Sequence, residues 1–465
     1  MEFSNQTNYS FDSKFLSWES SFLFLFRIQK RLSKSFIVGD FSRCLFFQKL
    51  ILQSNRSRLL AIREVTQLSS LKKVAGVDGK TFLTFTERFE LNELLRLKFN
   101  NWYPAPTKNV SILRKDGNIQ TLELFTISDR VWQLLVKYSI EPVYEVFLHP
   151  HIFGFRVSYN FIDLQKFLVN NFSLQSNVLD KRVLLFDLQG VFSQFNKDLI
   201  LEKLIAPRGI KLGLFRSFNV GFRLGFPDSV TDKFTLSSLL ANIVLNDISY
   251  IACSVRFGYD LLYILKPLDD ERVLFNKLVY YLRLNKLDYN IDCLGIFSPL
   301  IGFDFLDWNY TFSLKKKDLI VIPNFQNYQK FLYRVKRILN NSNYGSVIKA
   351  TKLSVIVKEW RLYNKFCYLN TNRLSLFYLK KRAFKVFNKE SKQDFYSSRK
   401  LLDKAFSKIL DFDKHYLELE KEKSPYFGHL VFSYDLGCRS DILINYQVTF
   451  NPIFFCLHCG LKILL

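Results

Sequence analysis

Hydrophobic positions along the chain change their period several times, and each change marks an element. From Arg56 to Gln67 the spacing is helical, and Leu71 to Gly79, closing on an Asp-Gly turn signal, reads as a loop. Leu91, Leu94, Leu95 and Phe99 recur near a 3.6-residue period and predict a helix over 84–100. Val110-Ser111-Ile112-Leu113, the turn Asp116-Gly117 and the run Ile119 to Phe125 predict a hairpin, after which Ser128-Asp129 is expected to cap a helix from Arg130 to Phe147. Val183-Leu184-Leu185-Phe186-Asp187 has the pattern of a buried strand that ends in a carboxylate. Leu236 to Ile248 predicts an apolar helix. Cys253 to Phe257 and Leu261 to Leu265, on either side of Gly258-Tyr259-Asp260, predict a second hairpin, followed by a helix from Asp270 to Asn285. After about residue 325 the segments 326–341, 346–368, 373–390 and 394–421 read as charged amphipathic helices. Residues 1–55, polar at first and then basic and aromatic, predict short helices only. No internal repeat is visible at solenoid periods.

Charge narrows the class of partner. A formal net charge of +24 over 465 residues repels itself unless an anion compensates, and the usual compensators are nucleic acid and anionic membrane. With hydrophobic residues at 48%, the chain has enough apolar material for real cores and is not mainly disordered. Membrane is the weaker choice, because no stretch reaches the roughly 18 uninterrupted apolar residues of a spanning helix. The run Phe22 to Phe26 is cut by Arg27, and Pro452 to Leu465 is short and holds His458 and Lys462. The 7 cysteines are scattered and odd in number, which suits a reducing compartment. Glu2, Asp12 and Glu19 argue against a transit peptide, so the chain is expected to stay in a cytoplasm or to be made inside its own organelle. The excess of Phe (49) over Gly (17) and Pro (11) fits an A/T-rich organellar genome, so it need not signal base-stacking platforms.

Two ordered sets of motifs carry a family resemblance. The first is Arg63-Glu64-Val65-Thr66-Gln67 followed by Lys72-Lys73-Val74-Ala75-Gly76-Val77-Asp78-Gly79. The second runs from Tyr103-Pro104-Ala105-Pro106 through Ile112-Leu113-Arg114-Lys115-Asp116-Gly117 and Ile127-Ser128-Asp129-Arg130 to Glu141-Pro142-Val143-Tyr144-Glu145 and Gly154-Phe155-Arg156. Their order and spacing resemble the fingers of group II intron reverse transcriptases, and the chain is most similar to the euglenid plastid maturases of that family. The resemblance implies an α+β fold shaped as a right hand, with reverse-transcriptase-like fingers, an eroded palm, and an α-helical thumb known as domain X. The implied divisions are an N-terminal extension (1–55), fingers (56–165), palm (166–325), thumb (326–390) and an unassigned C-terminal extension (391–465). In the palm, Asp187 and Asp260 match two of the three aspartates with which the family binds its catalytic magnesium ions, while Tyr259 stands in place of the third. A phenol is a poor magnesium ligand at neutral pH. Thr231-Asp232-Lys233-Phe234 does not match the family's Pro-Gln-Gly-Gly element, Phe305-Leu306-Asp307-Trp308 aligns loosely with its Phe-Leu-Gly-Phe strand, and Gln120 replaces a triphosphate-gripping arginine. Asp187 and Asp260 are therefore expected to be vestigial and the chain not to be a polymerase.

What the resemblance implies functionally is an intron maturase: a protein that assists splicing of a group II or shortened group III intron by stabilising its folded RNA. Candidate RNA contacts are Lys72, Lys73, Arg114, Lys115, Arg130 and Arg156 in the fingers, and Arg334, Lys336, Arg337, Lys358, Arg361, Lys380, Lys381 and Arg382 in the thumb. Any one of them reads equally well as a solvated charge. Trp360 and Tyr363, which match the helix of domain X, read first as packing residues. Intron RNA is the expected partner, dimerisation is left open, and no cofactor, metal or integral membrane association is expected. Cys456 and Cys459, with Cys438 nearby, fall short of the four ligands of a structural zinc site. A plastid is the expected home, with a mitochondrion as the alternative. The rival readings are an active intron-encoded reverse transcriptase and a general organellar RNA-binding protein.

Overall fold

The computed structural model describes residues 18–406, apart from 70–71, 73, 114–118, 157–158, 160, 173–179, 194, 227–235, 289–291, 316–317, 365–366, 369–375 and 391–393. It opens with α1 (Trp18–Ile37), α2 (Phe41–Gln53) and α3 (Asn55–Arg63), then a π-helical turn at Glu64–Leu68 and α4 (Phe85–Lys98). At 20 residues α1 is longer than the short helices expected. Its buried face mixes Leu25, Ile28 and Leu32 with Ser21, Gln29 and Ser33, so the apolar period is diluted. The polar members have a purpose. In α5 (Ile127–Phe147), Pro142 has no N–H and leaves the Tyr138 carbonyl, four residues earlier, without its helical donor. Gln29 Nε2 donates to that carbonyl at 3.0 Å, and Ser33 Oγ donates to the Pro142 carbonyl at 2.9 Å. The first helix thus mends the proline break in the fifth.

The predicted hairpin is present as β1 (Lys108–Leu113) and β2 (Ile119–Leu124), paired from Lys108↔Leu124 to Leu113↔Ile119. The cap of α5 lies earlier than expected. Thr126 Oγ accepts from Asp129 N at 3.2 Å and donates to Asp129 Oδ2 at 2.6 Å, so Ser128 and Asp129 belong to the first turn. Asp129 also accepts from Trp102 Nε1 at 2.9 Å.

After α6 (Phe161–Asn171), in the stretch expected to be the palm, comes a four-stranded sheet: β3 (Arg182–Asp187), β4 (Ser254–Phe257), β5 (Asp260–Leu265) and β6 (Asp292–Phe297), antiparallel and in the order β4-β5-β3-β6. Helices α7 (Lys197–Lys203), α8 (Arg208–Asn219), α9 (Leu236–Val244) and α10 (Glu271–Leu284) surround it. Leu184 and Phe186 enter one core with Leu261, Tyr263 and helices α1 to α5, whereas Val183 and Leu185 enter a second with Leu262 and Ile264. A strand buried on both faces must be apolar at every position, which is why β3 is legible as a run. The predicted helix 236–248 ends at Val244, and a 3-10 turn at Asn246–Tyr250 continues it.

A second sheet, β7 (Phe303–Phe305), β8 (Trp308–Ser313) and β9 (Asp318–Pro323), completes the second core. Phe305 to Trp308, matched to a single family strand, is instead the turn between β7 and β8, with Leu306 at φ 57°. The stretch expected to be the thumb holds α11 (Phe325–Leu339), α12 (Ser346–Tyr363) and α13 (Phe377–Glu390), and with α14 (Phe395–Ala405) beyond it these helices have their own core around Phe331, Val335, Leu353, Val357 and Phe387. Trp360 is buried there, stacked on Phe331 at 4.4 Å. Tyr363 lies at the seam with the palm, donating to Asp307 Oδ2 at 2.9 Å, and Trp308 Nε1 donates to Asn364 Oδ1 at 2.9 Å. Among the described residues no helix is long and apolar enough to cross a membrane.

Candidate nucleic-acid interface and the palm turn

The palm turn is built by the β4–β5 hairpin. Gly258, at φ 64°, allows the reversal, and Tyr259 and Asp260 follow. Across the sheet, Asp260 faces Asp187 in register, so the two retained acids stand side by side on adjacent strand ends. One oxygen of Asp187 accepts from Gln189 N at 2.8 Å, a local turn cap. Asp260 is pushed up to about 6, first by burial and then by the charges of Asp187 and Asp307.

Tyr259 points into protein. Its hydroxyl accepts a hydrogen bond from Phe226 N at 3.0 Å, and its ring meets Phe226 edge-on at 4.9 Å. Burial raises the phenol's pKa, and the neighbouring Asp187 adds to the rise, so Tyr259 is neutral. A Cβ at Gly225 would lie 2.5 Å from the Tyr259 oxygen, so the ring rests directly on backbone. Phe155 packs against Phe226 with tilted rings 5.0 Å apart. Aromatic side chains thus fill the ground beside the acids. Among the described residues no group of three His, Cys, Asp or Glu side chains converges as a metal site.

The candidate RNA contacts divide sharply. Arg156 is a correction: only 5% exposed, it donates through its side chain to both Glu145 carboxylate oxygens at 3.0–3.3 Å and to the carbonyls of Glu145, His149 and Ile152, and it covers Tyr159 at 4.3 Å. It cannot reach a phosphate. Arg130 is half-buried and holds the preceding loop by donating to the Val74 carbonyl at 2.7 Å. Arg361 is also half-buried, turned toward the Phe406 carbonyl at 3.4 Å. Lys72, Lys336, Arg337, Lys358, Lys381 and Arg382 are exposed, with Lys380 half-exposed. Arg334 is exposed but paired with Glu359 at 3.0 Å. Lys73, Arg114, Lys115, the segment Thr231 to Phe234 and the three C-terminal cysteines lie outside the described residues.

Sequence reading missed part of the thumb face. Lys385 and Lys389 are exposed and follow Lys381 at intervals of four, and Tyr378 precedes Arg382 by four. Residues four apart share a helix face, so this stripe was available from spacing alone. Lys352 over Tyr344 at 4.3 Å extends the basic and aromatic character to α12.

Residues 14–95 match the N-terminal domain of reverse transcriptase. The match begins within the stretch read as an N-terminal extension and ends in α4. The chain is 46% identical to maturase-like protein 1 of Euglena gracilis over 458 residues, 97% of this chain and 98% of that one. The chain belongs to the Euglena maturase-like protein 1 family. The maturase-like protein of Euglena longa is 44% identical over 455 residues, covering 97% of both chains. These relatives bear out the resemblance to euglenid maturases. The maturase-like chain is also 26% identical over 203 residues to protein YkfC of Escherichia coli, covering 39% of this chain and 51% of that one. Its overlap with a telomerase structure from Candida albicans (70% of this chain, 67% of that one, 11% identity, TM-score 0.31) is too loose to bear on the fold.

Proposed function

We propose that this chain is an intron maturase that binds and steadies the folded RNA of a group II or group III intron and carries out no polymerisation. One observation carries the reading: near-complete alignment with the maturase-like proteins of Euglena, at 44% and 46% identity. A net charge of +24 and the exposed basic thumb face suit a polyanion. Splicing chemistry belongs to the intron, so the protein need supply shape and positive charge only. Phosphate repulsion opposes compaction of RNA, and a basic surface offsets it while releasing counterions. Recognition would rest on bulges, loops and backbone shape, because the A-form major groove is closed to side chains.

Two-metal polymerisation needs carboxylates bridging both ions. Tyr259 offers a neutral hydroxyl already engaged by Phe226 N, and Asp187 caps its own turn. These residues do not fit a two-magnesium centre, and no step is assigned to one. The competing reading, an active reverse transcriptase, has in its favour the side-by-side Asp187 and Asp260. An organelle of an A/T-rich genome, a plastid before a mitochondrion, is the proposed home. The test is RNA crosslinking in the source organelle together with primer extension by the purified protein in magnesium or manganese. Enrichment of one or a few introns without DNA synthesis is expected. Binding spread over unrelated RNAs, or incorporation abolished by Asp187→Asn, overturns the proposal.

A further inference from the structure

The two edges of the palm sheet are finished differently. Beyond β4 the stretch 151–153 closes the ladder: Arg256 N donates to the His151 carbonyl at 3.1 Å and Phe153 N donates to the Arg256 carbonyl at 2.9 Å. At the opposite edge β6 pairs with β3 on one side and, among the described residues, with no strand on the other. An open edge is a template for a further strand. Leu294 and Ile296 of this edge are apolar and exposed, at 56% and 45%. On one face Ile296, Leu184, Phe186 and Phe275, with Glu271 and Arg272, line a shallow depression of about 280 Å³. On the other, Leu294, Leu185, Phe297 and Phe303, with Asp304 and Asn309, line one of about 380 Å³. Successive side chains of a strand point to opposite faces, so one added strand would cover both depressions.

We propose that the segment Ile442–Phe450 of this same chain adds to β6 as a fifth palm strand. Ile442, Ile444, Tyr446, Val448 and Phe450 alternate with Leu443, Asn445, Gln447 and Thr449. This is a period of two with β-branched and aromatic residues and neither Gly nor Pro, the pattern of a half-buried strand. The segment carries no charge, so it brings none against the exposed Leu294 and Ile296. Added there, its apolar row would cover one depression and Leu443 the other. The chain between Phe406, the last described residue, and Ile442 is long enough at about 3.3 Å per residue to cross the molecule. A second copy fits the edge less well. Gly295, at φ 127°, lies beside a register shift in β6, so two such strands would pair irregularly, and both copies would bring a charge of +24. The inference does not depend on the RNA-binding reading.

The test is hydrogen exchange on the full chain, with and without Tyr446→Pro and Val448→Pro together. Amides of β6 are expected to be protected in the parent and to exchange at least tenfold faster in the double variant, while β5 stays unchanged. Equal β6 exchange in both proteins overturns the proposal, as does protection that survives the prolines and rises with protein concentration, the mark of a second copy. Should β5 also lose protection, Leu294→Lys with Ile296→Lys decides from the other side. Amides of 442–450 must then exchange at least tenfold faster, and no change overturns the proposal.

Discussion

Cations packed beside the palm sheet and cations on the thumb face meet opposite fates. Beside the palm sheet three basic residues turn inward, while Arg223, Arg272 and Lys277 stay exposed. Arg156 is sealed against Glu145, Lys137 pairs with Glu141 at 3.2 Å along α5, and burial lowers Arg256 to about 9. In the thumb, apolar residues of α11 to α14 supply a core of their own, and Lys336, Arg337, Lys358, Lys381 and Arg382 are left in solvent. A buried cation is committed to its partner and to packing, because taking it out of water is expensive. An exposed one keeps its charge for a phosphate. The contrast separates cations that hold the fold from those available to RNA, a distinction that a count of Lys and Arg does not make.

The largest effect is expected where the contrast is sharpest. Arg156→Ala leaves Glu145 buried without its partner and removes the hydrogen bonds to three carbonyls, so it should lower stability by about 3–5 kcal/mol. Urea unfolding measures this, and a variant as stable as the parent would break the inward half of the comparison. Replacing Lys380, Lys381 and Arg382 together by Ala should do the reverse. Stability should change little, while intron affinity drops roughly 10- to 100-fold near 0.1 M salt. The slope of log K against log salt should shrink by about 2–3, since each lost phosphate contact removes about 0.7–0.9. Filter binding across a salt series reads both quantities, and an unchanged slope would remove the α13 stripe from the interface.

Much of this division was hidden in the sequence for identifiable reasons. The strands β3 and β5 were legible because burial on both faces leaves no polar position, and the palm hairpin because Gly258 marks its turn. The thumb helices were legible from their amphipathic period, although α12 stops at Tyr363, short of residue 368, where Asn364 turns back to the Trp360 carbonyl. The second sheet was missed despite the alternation of Trp308, Tyr310 and Phe312, because family matching read its first turn as a strand. Arg156 misled for a deeper reason. Its partner Glu145 lies eleven residues earlier across the end of α5, and nothing in a linear pattern shows that the two meet. The two acids named from sequence do stand in register on adjacent strands, but the packing of Tyr259 on Phe226 depends on a loop that local spacing does not predict.

The subtlest effect concerns whether the palm is chemically silent. Asp260 titrates at about 6 in the folded chain, against roughly 3.9 for an unfolded aspartate. Between about pH 4 and 6 the native state therefore keeps a proton that the unfolded chain has released, so stability falls as pH rises through that window. Above it the whole penalty of a desolvated carboxylate beside Asp187 is present. Asp260→Asn removes the charge and should stabilise the protein by about 1–2 kcal/mol at pH 7.5, allowing for partial exposure, with the gain vanishing near pH 4. Urea midpoints at the two pH values, recorded in a chelator, measure the difference. Magnesium then sharpens the test. If Asp187 and Asp260 together hold a divalent ion, adding it should raise the parent's midpoint and leave that of Asp260→Asn unmoved. That outcome would place a working metal site in the palm, and the opposition between a closed palm and an open thumb would no longer describe this protein.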